Sequence, residues 1–390
     1  MERRDFILKT GTIITATTFL GAFAKGSKAV AQPLATKKNN VPKRPNPADF
    51  TQPILKAITI GINAPSPHNI QSWKFKIVND HSMMVYIDEN RLLPATDPTQ
   101  RQLHMGAGSF IETLAIGVTG IGYQAEIRYF PEGYNSRADF GKKPVAQIDL
   151  IRTAQDKNEL ENYIVPRQTN RKAYSGEKIS LIEFETLLHL AGPSHAQIKF
   201  IEDAKKYEEY KRLLIKAMEV ESYNYDTHDE SRIMMRFSEK ERAEKRDGLS
   251  IPQVGFTGIM VNLAEMTLKG GPEAWHKKKS LQRHMNTFTK AVNSAKGFVT
   301  FTTATNEILD WVKTGRDYVR FCLALTKLNL VNNPHTQISQ EYAVMQPVMA
   351  ELNELEGITE PSKIQLIVRI GRASESYYSF RRTLDDFIKK

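Results

Sequence analysis

The run Pro166-Arg167-Gln168-Thr169-Asn170-Arg171-Lys172-Ala173-Tyr174 sets two arginines and a threonine at alternate positions. In an extended backbone alternate side chains leave on the same side, so Arg167, Thr169 and Arg171 share one edge of the chain. Guanidinium groups are permanently charged, planar and forked, which suits them to bidentate contact with phosphate. A helix is expected to follow, opening near Ser180 and running through Leu181 to Leu188. The run therefore reads as a phosphate clamp. Far upstream, Ala64-Pro65-Ser66-Pro67-His68-Asn69-Ile70-Gln71-Ser72-Trp73 forms a polar turn that serves as its partner.

Around that turn the chain alternates short helices and strands. The stretch Ile54–Ile62 reads as a helix ended by Ala64-Pro65, because proline biases the residue before it away from helix. Trp73–Val78 alternates apolar and polar residues and reads as a strand, with Met84–Ile87 returning beside it after an Asn79-Asp80 turn. Asp97-Pro98-Thr99-Gln100 has the form of an N-cap, an N1 proline and an N3 glutamine, so a helix is expected to begin there and run to about Gly122. Gln124–Tyr129 and Val145–Leu150 read as further strands. The order then repeats loosely. A helix at 180–190 ends in Ala191-Gly192-Pro193-Ser194-His195-Ala196-Gln197-Ile198-Lys199-Phe200, matching Ala64–Phe75 as helix, Pro-Ser-His turn and strand ending in Lys-Phe. Trp311–Leu328 matches the glycine-bearing helix at 100–122, and Ile364–Ile370 is a final strand. The expectation is an α+β chain built of two fused, diverged copies of one unit.

The 390 residues suffice for two domains, and 41% hydrophobic with 25% charged residues is ordinary globular composition. The net charge is +10, carried mostly on mixed-sign helical surface. Clustered Lys/Arg with interleaved aromatics is missing from the sequence, which excludes a nucleic-acid reading. The single cysteine, Cys322, permits no intrachain disulfide and sits in an apolar helical pattern, so packing rather than thiol chemistry is expected. Gly106-Ala107-Gly108 lies within a helix and lacks the third glycine of a dinucleotide loop, so it reads as a close helix contact. No zinc-ligand spacing, Walker loop or nucleophile elbow occurs, and no metal is expected. His68 reads equally as a turn residue and as a base. Residues 221–285 read as an insert, first charge-dense at 239–248 and then apolar at 251–259, with a lid over a pocket and a solvated helix as equal alternatives.

Taken together, these residues resemble the nitroreductase superfamily of FMN-dependent oxidoreductases. Members carry an Arg-x-Ser-x-Arg clamp and, shortly after it, a Ser-x-x-Asn-x-Gln-Pro-Trp turn. Arg167-Gln168-Thr169-Asn170-Arg171 matches the clamp with threonine for serine. Ser66-Pro67-His68-Asn69-Ile70-Gln71-Ser72-Trp73 matches the turn with serine for proline. Arg381-Arg382, after Gly371, matches a basic pair near the C-terminus. The resemblance covers residues 50–390 and is of the Acg-like kind, single chains with two nitroreductase-like halves, here 51–155 and 156–390. Ordinary members place the clamp before the turn and share each flavin across a two-fold dimer. Here the turn comes first, as it would if the first copy supplied Ser66 and Asn69 and the second supplied Arg167, Thr169 and Arg171. The reciprocal site looks dead, since 46–53 has no clamp and Pro193-Ser194-His195-Ala196-Gln197 lacks the asparagine. The resemblance thus implies one FMN per chain. Its cofactor-binding residues would be Ser66, Asn69, Arg167, Thr169, Arg171, Arg381 and Arg382, and Trp73 would be core. No catalytic residue is assigned, although Thr302–Thr305 is a candidate for the backbone donor to flavin N5. The implied reaction is two-electron transfer to a small nitro or quinone acceptor from an unknown donor. The alternative is an FMN-binding protein that sequesters the flavin without turnover.

The N-terminus reads as an address. Arg3-Arg4 followed by Phe6 and Lys9 is similar to a twin-arginine export signal, the apolar run from Thr10 to about Phe23 is too short to span a membrane, and Ala29-Val30-Ala31 is a small-x-small cleavage site. Residues 32–50 read as a flexible linker. The expectation is export to the periplasm by the twin-arginine machinery after folding, which fits a cofactor loaded beforehand. It also sits awkwardly with NAD(P)H, which is absent outside the cytoplasm.

Overall fold

The computed structural model describes Pro42 and residues 44–134, 137–256 and 258–389. The twin-arginine motif, the apolar run and the cleavage site lie outside the described residues. In chain order the first half contains α1 (Pro53–Gly61), β1 (Trp73–Asn79), β2 (Ser82–Ile87), α2 (Arg101–Val118), β3 (Tyr123–Tyr129) and β4 (Ala146–Arg152). The second half begins with α3 (Leu181–Ala191) and β5 (Gln197–Phe200). A long excursion follows through α4 (Ala204–Tyr223), α5 (Tyr225–Ile233), β6 (Met235–Arg236), α6 (Glu239–Lys245), β7 (Leu249–Ser250), α7 (Ile259–Leu268), α8 (Pro272–His276) and α9 (Lys278–Asn293). The chain closes with β8 (Gly297–Thr303), α10 (Ile308–Lys327), β9 (Val331–Pro334), α11 (Gln346–Glu356) and β10 (Lys363–Gly371).

Two four-stranded antiparallel sheets result, ordered β1-β2-β4-β3 and β5-β8-β10-β9. The two orders are the same when each sheet's strands are numbered from its own first strand, and in each a long helix, α2 or α10, joins the second strand to the third. Period-two alternation makes the first sheet one-sided: Trp73, Phe75, Met83, Val85, Ile148 and Leu150 turn inward onto α1 and α2. The second sheet is covered on both faces, and β10 is buried along nearly its whole length. One face meets α3 and α10, and the other meets α4, α9 and α11 through Tyr210, Phe298 and Ile367.

The helices α2 and α10 cross in direct contact. A Cβ on Gly108 would lie 1.8 Å from the Val312 carbonyl oxygen, and one on Gly315 would lie 1.9 Å from that of Met105. Backbone touches backbone, and the Ser109 hydroxyl donates to the Gly315 carbonyl at 3.1 Å. Of the Gly106–Gly108 pair read from sequence as a helix contact, Gly108 makes one, whereas Gly106 faces Pro67, whose Cδ would lie 3.2 Å from an added Cβ. The contact is reciprocal: shifting α2 onto α10 so that Gly108 falls on Gly315 also brings Met105 onto Val312.

Three expectations need correction. α2 begins at Arg101, not at the Asp97 turn, and its N-cap position Gln100 has φ 62°. Asp97 still caps it, from a turn away, by accepting from the amides of Gln102 and Leu103 at 3.1 Å each. The described part of the stretch read as a linker is tied down: Arg44 donates to Asn63 Oδ1 at 2.8 Å and to the Ser379 carbonyl at 2.7 Å, and 47–49 form a 3-10 turn. The insert read as 221–285 divides into two parts, because α4 and α9 are a helical layer on the second sheet and the projecting portion lies between them.

Candidate functional site

The turn after α1 is built from unusual backbone. His68, Asn69 and Gln71 have φ of 44°, 55° and 54°. This left-handed region is costly for residues with a Cβ, and such strain persists only where surrounding contacts enforce it. Those contacts come from distant segments. The Ser66 hydroxyl accepts from the Gln71 amide at 2.9 Å. The Asn69 amide group donates to the carbonyls of Gly248 and Phe380 at 3.2 and 3.4 Å, while its oxygen accepts from Arg381 at 3.0 Å. Gln71 donates to the Arg246 carbonyl at 3.0 Å and accepts from the Arg382 amide at 3.0 Å. The turn is thus clamped by the projecting insert and by the C-terminal segment.

The run at 166–174 is extended only in part. Arg167 closes a turn, its amide donating to the Tyr163 carbonyl at 3.1 Å. Thr169 then bridges to Asn332, and the Asn170 amide donates to the Asn332 carbonyl at 2.8 Å. Below it, the fully buried Arg369 stacks on Tyr174 with its guanidinium 3.9 Å from the ring centroid and donates to the Lys172 carbonyl at 3.0 Å. The Arg369 side chain from β10 therefore helps to hold the run in place.

The two segments meet at a small cavity of about 50 Å³ lined by Ser66, Asn69, Arg167, Thr169, Arg171 and Arg381, together with Arg44, Gln168, Gln253, Tyr377 and Tyr378. Six of the seven expected residues are brought together there. Arg382 is not: its guanidinium donates to the carbonyls of Gln71 and Asp386 and lies 4.8 Å over the Phe387 ring. The basic pair splits because its two side chains leave the chain on opposite sides. Arg381 turns toward the end of α1, where the carbonyls of Ile62, Asn63 and Ala64 accept from it at 2.6, 3.2 and 3.2 Å. Arg44, Gln168, Gln253 and the two tyrosines were missed. Arg44 lies in a proline- and lysine-rich stretch that resembles a linker, and only its pairing with Asn63, invisible in sequence, marks it. Thr302–Thr305 lies at and just beyond the end of β8 and is not among the residues lining either this cavity or the larger one below.

The charge balance of this cavity is one-sided. Its lining includes four arginines and neither Asp nor Glu, and among the described residues none of the four is in an ion pair. Arg167 is 7% exposed, and its Nη1 is buried without a hydrogen-bond partner. Arg171 makes no hydrogen bond among the described residues. Burial, and then the neighbouring Arg167, holds Arg44 down to about 10. Burial also depresses Arg171, and burial together with Arg44 and Arg167 depresses Arg381 well below the usual arginine range. Burying an unpaired ion costs several kcal/mol even after relaxation. A cluster of buried cations without a carboxylate is therefore a site prepared for an anion brought from outside.

A larger cavity of about 270 Å³ adjoins it, and Pro65, Ser66, Thr169, Arg171 and Leu249 line both. Its floor includes Met105, Gly106, Tyr318, Asn333 and His335, and its roof comes from the insert through Ile251, Val254, Phe256, Leu268 and Trp275. His68 opens onto it, its Nδ1 buried without a partner, and burial lowers the ring to about 4. Glu221 lies in the same wall, and burial raises its carboxyl to about 7. The sole thiol, Cys322, is fully buried and pushed up to about 11, as its apolar setting implied.

The matching turn of the second half is filled from within. The amides of Ser194, His195 and Ala196 all donate to the Asp317 carboxylate, at 2.9, 2.9 and 2.7 Å. The backbone nest that an incoming anion would need there already holds one.

Comparison with known proteins adds names to this geometry. A Mycobacterium tuberculosis protein provisionally named NAD(P)H nitroreductase acg is 32% identical over 81 residues, covering 21% of this chain and 24% of its own length. A second protein of that organism with the same kind of provisional name is 27% identical over 126 residues, covering 31% of this chain and 34% of its own length. Both of these relatives carry a nitroreductase name. This chain spans between a quarter and about a third of the length of these curated relatives. No family model matches the chain. Among solved structures, the FMN-dependent nitroreductase NfnB of Mycobacterium smegmatis in complex with NADPH is similar at 15% identity and a TM-score of 0.34, over 55% of this chain and 87% of its own. An iodotyrosine deiodinase bound to FMN and 3-iodo-L-tyrosine is similar at 14% identity and a TM-score of 0.34, over 57% of this chain and 95% of its own.

Proposed function

We propose that this protein binds one FMN per chain and acts as an FMN-dependent oxidoreductase of the nitroreductase superfamily, of the Acg-like kind. The observation that carries the reading is the cavity in which Arg44, Arg167, Arg171 and Arg381 converge without a carboxylate. A phosphate monoester supplies the missing charge, and Arg167 Nη1 and the free Arg171 guanidinium are the donors left to hold it. The Thr169 hydroxyl adds a short-range contact. Ser66 lies between the two cavities, and Asn69 acts by holding the strained turn, since both ends of its side chain are engaged. The larger cavity would take the ring system, with the apolar roof of Ile251, Val254 and Phe256 keeping water from it. Bound there, the flavin supplies two-electron chemistry between a donor and a small nitro or quinone acceptor.

The reading extends to the whole chain. Two copies of one α+β unit, 51–155 and 156–390, would form an intramolecular pseudo-dimer, supported by the shared strand order and the reciprocal Gly108–Gly315 crossing. One copy would supply the turn and the other the clamp. Asp317 occupying the second turn favours a single flavin. Export to the periplasm through the twin-arginine signal at residues 1–31 belongs to the same reading and leaves the electron donor open. A second reading, flavin held without turnover, is favoured by the roof that Ile251, Val254 and Phe256 place over the cavity. Anaerobic titration separates the two. Loss of the yellow absorption with NADH, NADPH or a quinol, and its return with a nitroarene or quinone, is expected of the enzyme. A flavin that stays oxidised with every donor is expected of the second reading and contradicts the first.

A further inference from the structure

The projecting insert presents an apolar face to solvent. On α7, Ile259 is 83% exposed, Met260 42%, Leu263 51% and Met266 78%. At 3.6 residues per turn these four fall within about a third of the helix circumference. The opposite side of the same helix is packed: Ala264 is buried, Val261 and Leu268 lie against Met235 and Ile251, and Glu265 pairs with Arg242 at 2.6 Å. Ala264 and Leu268 also line the larger cavity. A helix in a water-soluble domain ordinarily turns one apolar stripe inward, whereas α7 carries a second stripe outward.

The chain around this stripe is basic. Lys269 at the end of α7, then Lys277, Lys278, Lys279 and Arg283, are all exposed, and among the described residues none is in an ion pair. Glu273 is the exposed carboxylate among them. Large apolar side chains beside unpaired lysines are the composition of a helix that lies in a lipid headgroup layer, with its apolar face among the acyl chains and its cations among anionic headgroups. No helix among the described residues is long and apolar enough to cross a membrane, and an interfacial helix does not need to be.

We infer that the outer face of α7, with the lysines that follow it, docks the protein on an anionic lipid bilayer. The occupant is a membrane surface because the exposed apolar residues of α7 are followed in the chain by five exposed, unpaired cations against one exposed carboxylate, an excess of positive charge that a protein partner of ordinary surface composition would leave unpaired. The docking does not rest on the flavin reading. If that reading holds, an apolar ring compound dissolved in lipid would enter beneath α7, whose inner face is cavity wall.

Sedimentation of the full chain with phosphatidylglycerol/phosphatidylethanolamine vesicles tests the inference against phosphatidylcholine vesicles, with and without high salt. The expected result is binding to the anionic vesicles, weakened by salt and by neutral lipid. Ile259→Glu with Met266→Glu should lower the partition coefficient roughly tenfold or more. Lys277→Ala with Lys278→Ala and Lys279→Ala should lower it roughly tenfold or more as well. All five positions are exposed, so both variants should keep the parent circular dichroism spectrum and melting temperature. No binding to anionic vesicles overturns the inference. So does unchanged binding by both variants, which would place the contact elsewhere, for instance on the apolar N-terminal run. Equal binding to neutral vesicles, or self-association abolished by the α7 substitutions without any vesicle binding, also overturns it.

Discussion

At Arg167 the guanidinium is buried, one of its nitrogens has no partner, and two other arginines of the cavity lower their own affinity for protons partly because of it. Such a residue is worth most when an anion is present. Arg167→Ala should weaken FMN binding by roughly 10- to 100-fold, the range of one or two charge-assisted hydrogen bonds. The apoprotein should lose little stability or gain some, because a buried like-charge repulsion is relieved. Equilibrium dialysis and thermal melts of the apo form check the two halves separately. Arg382→Ala should leave flavin affinity within about twofold, because its contacts are to Gln71, Asp386 and Phe387. At this scale Arg167, Thr169 and Arg171 were named from their alternate spacing and Ser66 and Asn69 from the family resemblance, and the five line one cavity. Arg44 and Gln253 were not named, since they enter the cavity through tertiary contacts with Ser379 that no local pattern encodes.

Histidines supply a pH dependence of a definite sign. His104 is fully buried between the Gln100 carbonyl and Tyr134, and burial holds it at about 4 against an ordinary 6.5. The unfolded chain binds the proton first, so this contribution is complete above pH 6.5 and is lost as pH falls toward 4. His68 acts in the same direction. Glu221, raised to about 7, opposes them, because its neutral form is the one the fold prefers and its contribution fades as pH rises from its ordinary 4.5. The melting temperature should fall between pH 6.5 and 4, and His104→Gln should make that fall shallower. An unchanged slope would remove His104 from the account.

Among the elements, the α2–α10 crossing bears the greatest demand on residue size. A methyl group at Gly108 or Gly315 would meet backbone rather than a movable side chain, at 1.8 and 1.9 Å. Gly315→Ala should destabilise by about 3 kcal/mol or more, beyond ordinary overpacking, because two helices must separate. Chemical denaturation measures it, and a loss below about 1 kcal/mol would contradict the backbone-to-backbone contact. The strands β1 to β5 and β10 and the long helices α2 and α10 were legible because alternation and helical periodicity are local, whereas α4, β8 and β9 were not named. The start of α2 was misplaced because Asp97 caps from a separate turn, using its side chain where a nearer residue usually does. The role of α4 and α9 was also hidden: their apolar faces look like any amphipathic helix until β8 and β10 are seen to be buried on that side.

For the whole molecule, the two sheets share a strand order while their two turns differ, one strained and lining a cavity and the other closed on Asp317. The repeated helix-turn-strand pattern was visible in sequence, but the closing of the second turn was not, because Asp317 lies on a distant helix. Asp317→Ala should lower stability by about 2 to 4 kcal/mol by leaving three amides without their acceptor, while flavin content stays unchanged. The most direct test of the account is the flavin content of the purified full chain, measured by acid release and absorption, for the parent protein and for Arg167→Ala with Arg171→Ala. One FMN per polypeptide in the parent and almost none in the double variant is the predicted result. A colourless parent, two flavins per chain, or full flavin retained by the double variant would contradict it.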